Sequence, residues 1–362
     1  MELRIAHSPT SFKAQPSGCA FCVPHLLSYS HMPRLNLIAI GDATKDVFVN
    51  ISEASLNCQI NKEACQLCFN YAEKIPAKGV VQVAAAGNAA NAAVGTCRLG
   101  HTSALVTWLG DDDDGHELTE ALKCANIDRR FITFEQNKKT NYSTILNYEG
   151  ERTILVYKEP RAYKLPPKLP AADWIYYTAI GEKHLSLEKS LLAYLKKCKT
   201  TKLLFNPGVT HLRRGLKALK PILKRTHTLI LNKEEARQLL MDEEKHPVPS
   251  LLQRLQSEGP NVVIITDGKK GAWAIEGQRV WNLGIFPGDA IERTGAGDAF
   301  ATGYVNAILA GKDVPEALRW GNANSQSVVL QIGPQAGLLT TKQMQSALKK
   351  YSKIKAKSVK TS

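Results

Sequence analysis

Residues 292–309 read ERTGAGDAFATGYVNAIL: three small residues, Gly295, Ala296 and Gly297, run into Asp298, and then the chain turns periodic and apolar. That pattern predicts a helix opening at this point. A helix N-terminus presents unpaired backbone N–H groups and the positive end of the macrodipole. Glycine ahead of it lets the backbone approach an anion with no Cβ in the way. The stretch reads as an anion cradle, with Gly295, Ala296 and Gly297 as the donors. Asp298 has two readings. It is a helix-capping aspartate, worth about 1 kcal/mol, or a general base that takes a proton from a hydroxyl as that oxygen attacks phosphorus. The spacing by itself leaves both open.

Outward from this helix, apolar runs alternate with helix-length segments. LNLIAIGD, SALVTWLGD, WIYYTAIG, KLLFNPG, THTLILNKEE and NVVIITDG read as strands, while AGNAANAAVGTCRLG and GHELTEALKCA read as helices. Strands alternating with helices specify βαβ units, so the fold class is α/β, a doubly wound, mainly parallel sheet. Residues 43–84 and 131–160 break the rhythm with the β-rich runs DVFVNI, GVVQVA, FITFE, NYSTILNY and ERTILVY. Their polar–apolar alternation predicts a small antiparallel sheet. Ligands of open α/β sheets bind at the carboxyl ends of the strands, so this sheet is expected as a lid over that edge. Residues 1–33, rich in Ser, Pro and His, are expected as a disordered extension, residues 34–345 as the α/β domain, and residues 346–362 as a basic, solvated tail.

The 362 residues are 44% hydrophobic and 22% charged, the balance of a globular protein with a substantial core. No stretch approaches the roughly 18 uninterrupted apolar residues of a membrane span. The formal charge is +14, but the last 14 residues hold six Lys and no acid, and without them it is +8. Zinc-finger spacing and interleaved aromatic motifs are missing, so specific nucleic-acid recognition is not expected. Positive charge also suits a protein that handles polyphosphates. Among eight cysteines, the pairs Cys19/Cys22 and Cys65/Cys68 have CxxC spacing, but 42 residues separate them, too many for a compact zinc ribbon. Free thiols in a reducing cytosol are the simpler reading; Cys58, Cys65 and Cys68 cluster in one insertion.

ERTGAGDAFATGY resembles the second signature of the ribokinase (PfkB) carbohydrate kinase family, DTxGAGD followed by a small-residue helix. AAGNAANAAVGTCRLG resembles the first, GGxxxNxAxxxxxLG, and the resemblance runs from about Leu35 to about Leu339. It implies a cytoplasmic enzyme that transfers the γ-phosphoryl of ATP to a sugar hydroxyl, with Asp298 as the base. A nucleoside acceptor, and a non-catalytic sugar- or nucleotide-sensing protein, are the alternatives on the same fold. The resemblance assigns substrate contacts to Asp46, Gly87, Asn88 and Asn91, and nucleotide contacts to Asn232, Glu235, Thr266, Gly268 and Asn324. Glu235 is expected to organise Mg²⁺ through water, because Mg²⁺ keeps several waters and takes few carboxylates. Some relatives hold a monovalent cation, and many dimerise through the lid. Ala86 and Glu292 depart from the signatures, which have Gly and Asp there; the second departure falls on the loop that would hold such a cation. Arg152 and Arg161 are either solvated lid arginines or cleft residues that meet a substrate carboxylate or phosphate, Glu182 is a further cleft candidate, and Asp112 with Gly115 fits the family's GxDxxG turn.

Overall fold

The structure, a computed structural model, describes residues 34–58, 65–149 and 151–359. The chain enters as β1 (Leu35–Ile40) and rises into β2 (Thr44–Ile51), the hairpin β3 (Ser55–Cys58) and β4 (Cys65–Cys68), and β5 (Ala77–Ala86). Then come α1 (Asn88–Arg98), β6 (Ser103–Gly110), α2 (Asp113–Cys124), β7 (Ile132–Glu135), β8 (Tyr142–Tyr148) and β9 (Glu151–Tyr157). Regular alternation follows: β10 (Ala172–Tyr177), α3 (Leu185–Lys197), β11 (Lys202–Phe205), α4 (Val209–Arg213), α5 (Gly215–Leu223) and β12 (Thr228–Asn232). After α6 (Lys233–Leu240) and α7 (Val248–Gln256) stand β13 (Val262–Thr266), β14 (Ala272–Glu276) and β15 (Arg279–Leu283). The chain closes with α8 (Ala296–Leu309), α9 (Val314–Val329), α10 (Thr341–Lys350) and β16 (Lys357–Val359).

Among the described residues, ten strands form one sheet in the order β16-β15-β14-β13-β12-β11-β10-β1-β6-β7. From β7 to β13 every pairing is parallel, and from β13 to β16 every pairing is antiparallel. The central strands are apolar from end to end because both of their faces are covered; Ser103–Gly110 is buried throughout. Side chains of α1, α2, α8 and α9 share one hydrophobic core with those of the sheet. The small side chains of α1 let it press against α8: a Cβ at Gly95 would lie 2.6 Å from Thr302 Cγ2. That close seam brings Asn91 to Asp298.

The small sheet expected as a lid has four strands, in the order β5-β2-β8-β9. It differs from the antiparallel lid expected of the sequence in two ways. Strands β2 and β8 pair in parallel, since both rise out of the main sheet in the same direction. FITFE is not in the lid: β7 extends the main sheet, pairing Thr107 with Ile132. Asp112 fastens the lid's root. Its Oδ1 accepts from Gly115 N–H at 3.0 Å and Thr140 Oγ1 at 2.6 Å, and its Oδ2 accepts from Thr140 N–H at 3.0 Å.

Two further expectations are corrected. The boundary at 345 falls inside α10, and the basic residues described beyond it, up to Lys357, are no free tail. Arg319 donates to the carbonyls of Leu348 at 3.0 Å, Tyr351 at 3.3 Å and Ile354 at 2.9 Å, steering the chain back so that Val359 pairs with Val280. In the cysteine insertion, Cys58 and Cys65 face each other across the β3–β4 hairpin and form a disulfide. No cluster of three or more metal-ligating side chains exists among the described residues. Cys19, Cys22 and the expected extension 1–33 lie outside the described residues.

Candidate active site

The mouth of α8 opens at the carboxyl edge of the main sheet. Gly295 is its N-cap, with φ 79° and ψ 0°. This is left-handed backbone that glycine adopts without strain, and a Cβ there would stand 2.4 Å from Pro334 Cβ. The turn uses one of the three amides expected to face an anion: Ala296 N–H donates to Arg293 C=O at 3.3 Å. The first helical bond is Ala299 N–H to Gly295 C=O at 2.8 Å. Gly297 N–H thus belongs to the orphan donors of a first turn, and a Cβ on Gly297 would meet nothing within 4 Å. The protein itself gives Gly297 no steric reason to be glycine.

Asp298 is the third residue of α8, so the capping position belongs to Gly295 and the capping reading of Asp298 falls. Its side chain is buried, and Oδ2 accepts from Asn91 Nδ2 at 2.8 Å. Asn91 is itself held: its Oδ1 accepts from Gln335 Nε2 at 3.0 Å, and the same Gln335 amide reaches Ala85 C=O. This relay leaves no freedom for the Asn91 amide to flip, and it aims the N–H₂ end at the carboxylate. Burial pushes the Asp298 carboxyl up to about 6 against the Asn91 hydrogen bond; the charges of Asp46 and Glu235 add to the rise, and Asn88 opposes it. Four predicted site residues are therefore close enough to Asp298 to act on its ionisation.

Asp46 stands on β2 where the lid leaves the main sheet, 6% exposed, and its Oδ1 is buried with no hydrogen-bond partner among the described residues. Burial raises it to about 6, Ser143 and Thr44 lower it, and the Glu292 charge raises it. Glu292 Oε1 accepts from Thr294 N–H at 2.7 Å, while its Oε2 is buried and unpartnered among the described residues. A buried, unsatisfied carboxylate oxygen is costly, and Asp46 Oδ1 and Glu292 Oε2 are two of them. Between Glu292 and the lid lies a cleft of about 280 Å³ lined by Asn50, Asn147, Arg152, Ile291 and Ile332. Arg152 Nε stands 4.0 Å from Glu292 Oε1, and Arg293 Nη1 stands 3.2 Å from Glu151 Oε1 on β9.

Asn232 and Glu235 cap α6 reciprocally. Asn232 Oδ1 accepts from Glu235 N–H and Glu235 Oε2 accepts from Asn232 N–H, each at 2.8 Å. Burial raises the Glu235 carboxyl. Thr266 ends β13 and Gly268, at φ 48°, starts the tight turn after it. Lys233 joins the two strand ends through Asp267 at 3.2 Å.

A profile described as pfkB family carbohydrate kinase matches residues 47–341. The chain belongs to the pfkB carbohydrate kinase family. Among curated relatives of this kinase, a probable fructokinase of Arabidopsis thaliana is 24% identical over 305 residues, covering 75% of this chain and 89% of the relative. The ribokinase of Bacillus subtilis is 26% identical over 274 residues, covering 74% and 88%. Among solved structures, Arabidopsis thaliana ribokinase complexed with ribose and ATP superposes with a TM-score of 0.70 at 20% identity, covering 88% of this chain and 99% of that one. The Methanocaldococcus jannaschii nucleoside kinase does so with 0.68 at 21%, covering 87% and 98%. These structures bear on the fold: the α/β class and the small accessory sheet are those of ribokinase-like proteins.

Within the pfkB kinase, not every predicted residue lies open to a ligand. Asn324 is fully buried, donating to Ala299 C=O at 2.8 Å and accepting from Leu339 N–H at 3.0 Å. With both ends of its amide used, it braces α8 and cannot reach a nucleotide. Asn322, two residues earlier, was missed; it donates to Gly284 C=O at 2.7 Å and so holds the loop that runs on to Glu292. Arg161 is no cleft residue, since its buried guanidinium pairs with Glu135 at 2.9 Å, and Glu182 is exposed. Gly87, at φ 94°, caps α1, and Asn88 begins it beside Asp298. Asp42 was also missed. Burial lifts its carboxyl to about 6, and Tyr163 Oη donates to it at 3.0 Å. A Gly-Asp pair ending the first strand was the available signal. Gln335 offered none, because its role depends on a loop packing onto α1.

Proposed function

We propose that this carbohydrate kinase transfers the γ-phosphoryl of ATP to a hydroxyl of a neutral sugar of the ribose or fructose class. The observation that carries the reading is Asp298, buried and aimed by Asn91 beside the open Gly297 amide. At neutral pH a carboxyl of pKa about 6 is ionised and still basic enough to accept a proton. Asp298 takes the acceptor's hydroxyl proton as that oxygen bonds to phosphorus and ADP leaves. The Gly295 and Gly297 amides bind the developing charge on the moving phosphoryl. The unpartnered Asp46 Oδ1 accepts from a second substrate hydroxyl, and the lid keeps water from competing.

Mg²⁺ fits this site. One carboxylate oxygen of Glu235 is left over from the α6 cap, and Mg²⁺ asks for few protein ligands and retains its waters. When bound it neutralises polyphosphate charge; a monovalent cation near Glu292 is part of the same reading. The lid is read as the dimer interface, because Leu155 and Val156 on β9 are 57% and 56% exposed. Analytical ultracentrifugation of a Leu155→Glu variant tests that; a species of unchanged mass rejects it.

The test of the activity is a coupled ADP-release screen over pentoses, hexoses, sugar acids and nucleosides. Turnover confined to nucleosides moves the acceptor to that class. ATP binding with no turnover on any acceptor replaces the enzyme with a sensor.

A further inference from the structure

Residues 189–233 contain twelve Lys and Arg and not one Asp or Glu. Taking that +12 from the net +14 leaves +2 for the other 317 residues. Together with the six Lys of the last 14 residues, this stretch, from within α3 to the first residue of α6, more than accounts for the net positive charge.

The fold gathers this stretch at one place. Lys196 and Lys197 end α3, Lys199 lies in the loop behind it, Lys202 opens β11, and Lys224 follows α5. Arg225 draws the two helix ends together, donating to Leu195 C=O at 3.3 Å and Thr201 C=O at 2.8 Å. Those five lysines and Lys220 are exposed, while Leu191, Leu195, Leu219, Ile222 and Leu223 beneath them are buried. Acids approach from outside the stretch: Glu188 pairs with Arg214, Asp267 stands 3.2 Å from Lys233 and Glu258 3.5 Å from Lys220, while Asp173 is taken by Arg34; Lys196, Lys197, Lys199, Lys202 and Lys224 have no such pair among the described residues.

Fold stability does not account for the pattern. Cations at a helix C-terminus complement the dipole, which covers Lys196, Lys197 and Lys224. It does not cover α4 and α5, whose first turns hold no acid, or Lys217 near the positive end of α5. Lys217, Lys220 and Lys224 follow one another at spacings of three and four, where like charges repel.

We infer that this face docks the phosphodiester backbone of a nucleic acid without reading its sequence. The charge is complementary, and no exposed aromatic ring stands among these lysines to stack a base. A bilayer is disfavoured because no large apolar side chain projects among them; the exposed Leu185 and Val209 stand at the starts of α3 and α4, away from the lysine-rich ends. Lys202 is the first residue of its strand, so the face lies at the amino edge of the sheet, opposite Asp298, and leaves the kinase site open.

The experiment uses the full chain and fluorescence anisotropy with a labelled mixed-sequence 20-nucleotide RNA and a DNA duplex, alongside sedimentation with phosphatidylserine vesicles. Binding is expected to fall steeply with salt, by about 0.7–0.9 in log–log slope for each phosphate contacted. Lys196→Glu/Lys199→Glu/Lys224→Glu is expected to weaken binding at least tenfold and flatten that slope, with thermal melting unchanged. The Lys→Gln triple, which adds no repulsion, is expected to lie between the two. Lys342→Glu/Lys349→Glu/Lys353→Glu, elsewhere on the surface, is expected to bind as the unaltered chain does. The inference is overturned by no binding at 50 mM salt, by equal loss in the Lys196/Lys199/Lys224→Glu and Lys342/Lys349/Lys353→Glu variants, or by vesicles binding where nucleic acid does not. ADP release measured on the same samples is independent of these outcomes.

Discussion

Asn91 and Asp298, 207 residues apart in sequence, meet across the α1–α8 seam in a hydrogen bond of 2.8 Å. The first sequence signature thus supplies the group that aims the carboxylate of the second. Asn91→Ala is expected to lower kcat more than tenfold while leaving the KM for ATP nearly unchanged. Losing the bond also lets the Asp298 carboxyl rise further, so the acid limb of the rate profile moves to higher pH. The variant leaves the Gln335 amide short of a partner and costs about 1–3 kcal/mol of stability. An unshifted acid limb would show that Asn91 only packs.

Asp298→Asn is expected to retain nucleotide affinity and lose phosphoryl transfer by about 10²–10⁴-fold, the usual contribution of a positioned base. Isothermal titration with ADP and single-turnover kinetics separate the two quantities. Near-normal turnover would remove Asp298 from the chemistry.

Stability should respond to pH in a defined direction. Asp298, Asp46 and Asp42 are each raised from 3.8 to about 6. An acid whose folded pKa is raised favours folding in its protonated form. The benefit is complete below pH about 4 and is lost as pH climbs through about 6. Two units correspond to about 3 kcal/mol for one buried group. Asp298→Asn, free of that penalty, is expected to melt a few degrees above the unaltered protein at pH 8, with the gap closing at pH 4. Melting curves at both values check it, and a gap independent of pH contradicts it.

The two glycines of the cradle should separate stability from activity. Gly297→Ala adds a methyl where the protein has open space, and Ala for Gly within a helix adds about 0.5–1 kcal/mol. It is expected to melt no lower than the parent and to lose activity, because the methyl occupies the phosphoryl's place. Gly295→Ala must take a φ of 79° and crowd Pro334, so it is expected to lose stability as well. Melting temperature and kcat measured on both variants decide between this and a purely structural loop.

What the sequence made legible follows from range. The mouth of α8, the caps of α2 and α6 and the strand–helix alternation are local patterns, and each stands where the residues place it. Partner choice is not local. FITFE has the composition of a lid strand, yet β7 pairs with β6. KSV looks like tail, yet Arg319 turns the chain back into the sheet. Asn324 fits a ligand-contact pattern until Ala299 and Leu339 prove to use up its amide.

Strand β1 lies between β10 and β6, so Ile38 pairs with both Ile175 and Ala104. A nascent chain that has emerged only to residue 170 holds its founding strand with one edge bare. Loop closure over such separations slows folding and leaves the open edge prone to aggregation in the meantime. Truncations ending between β9 and β10 should therefore precipitate on expression, rather than yield a smaller folded unit.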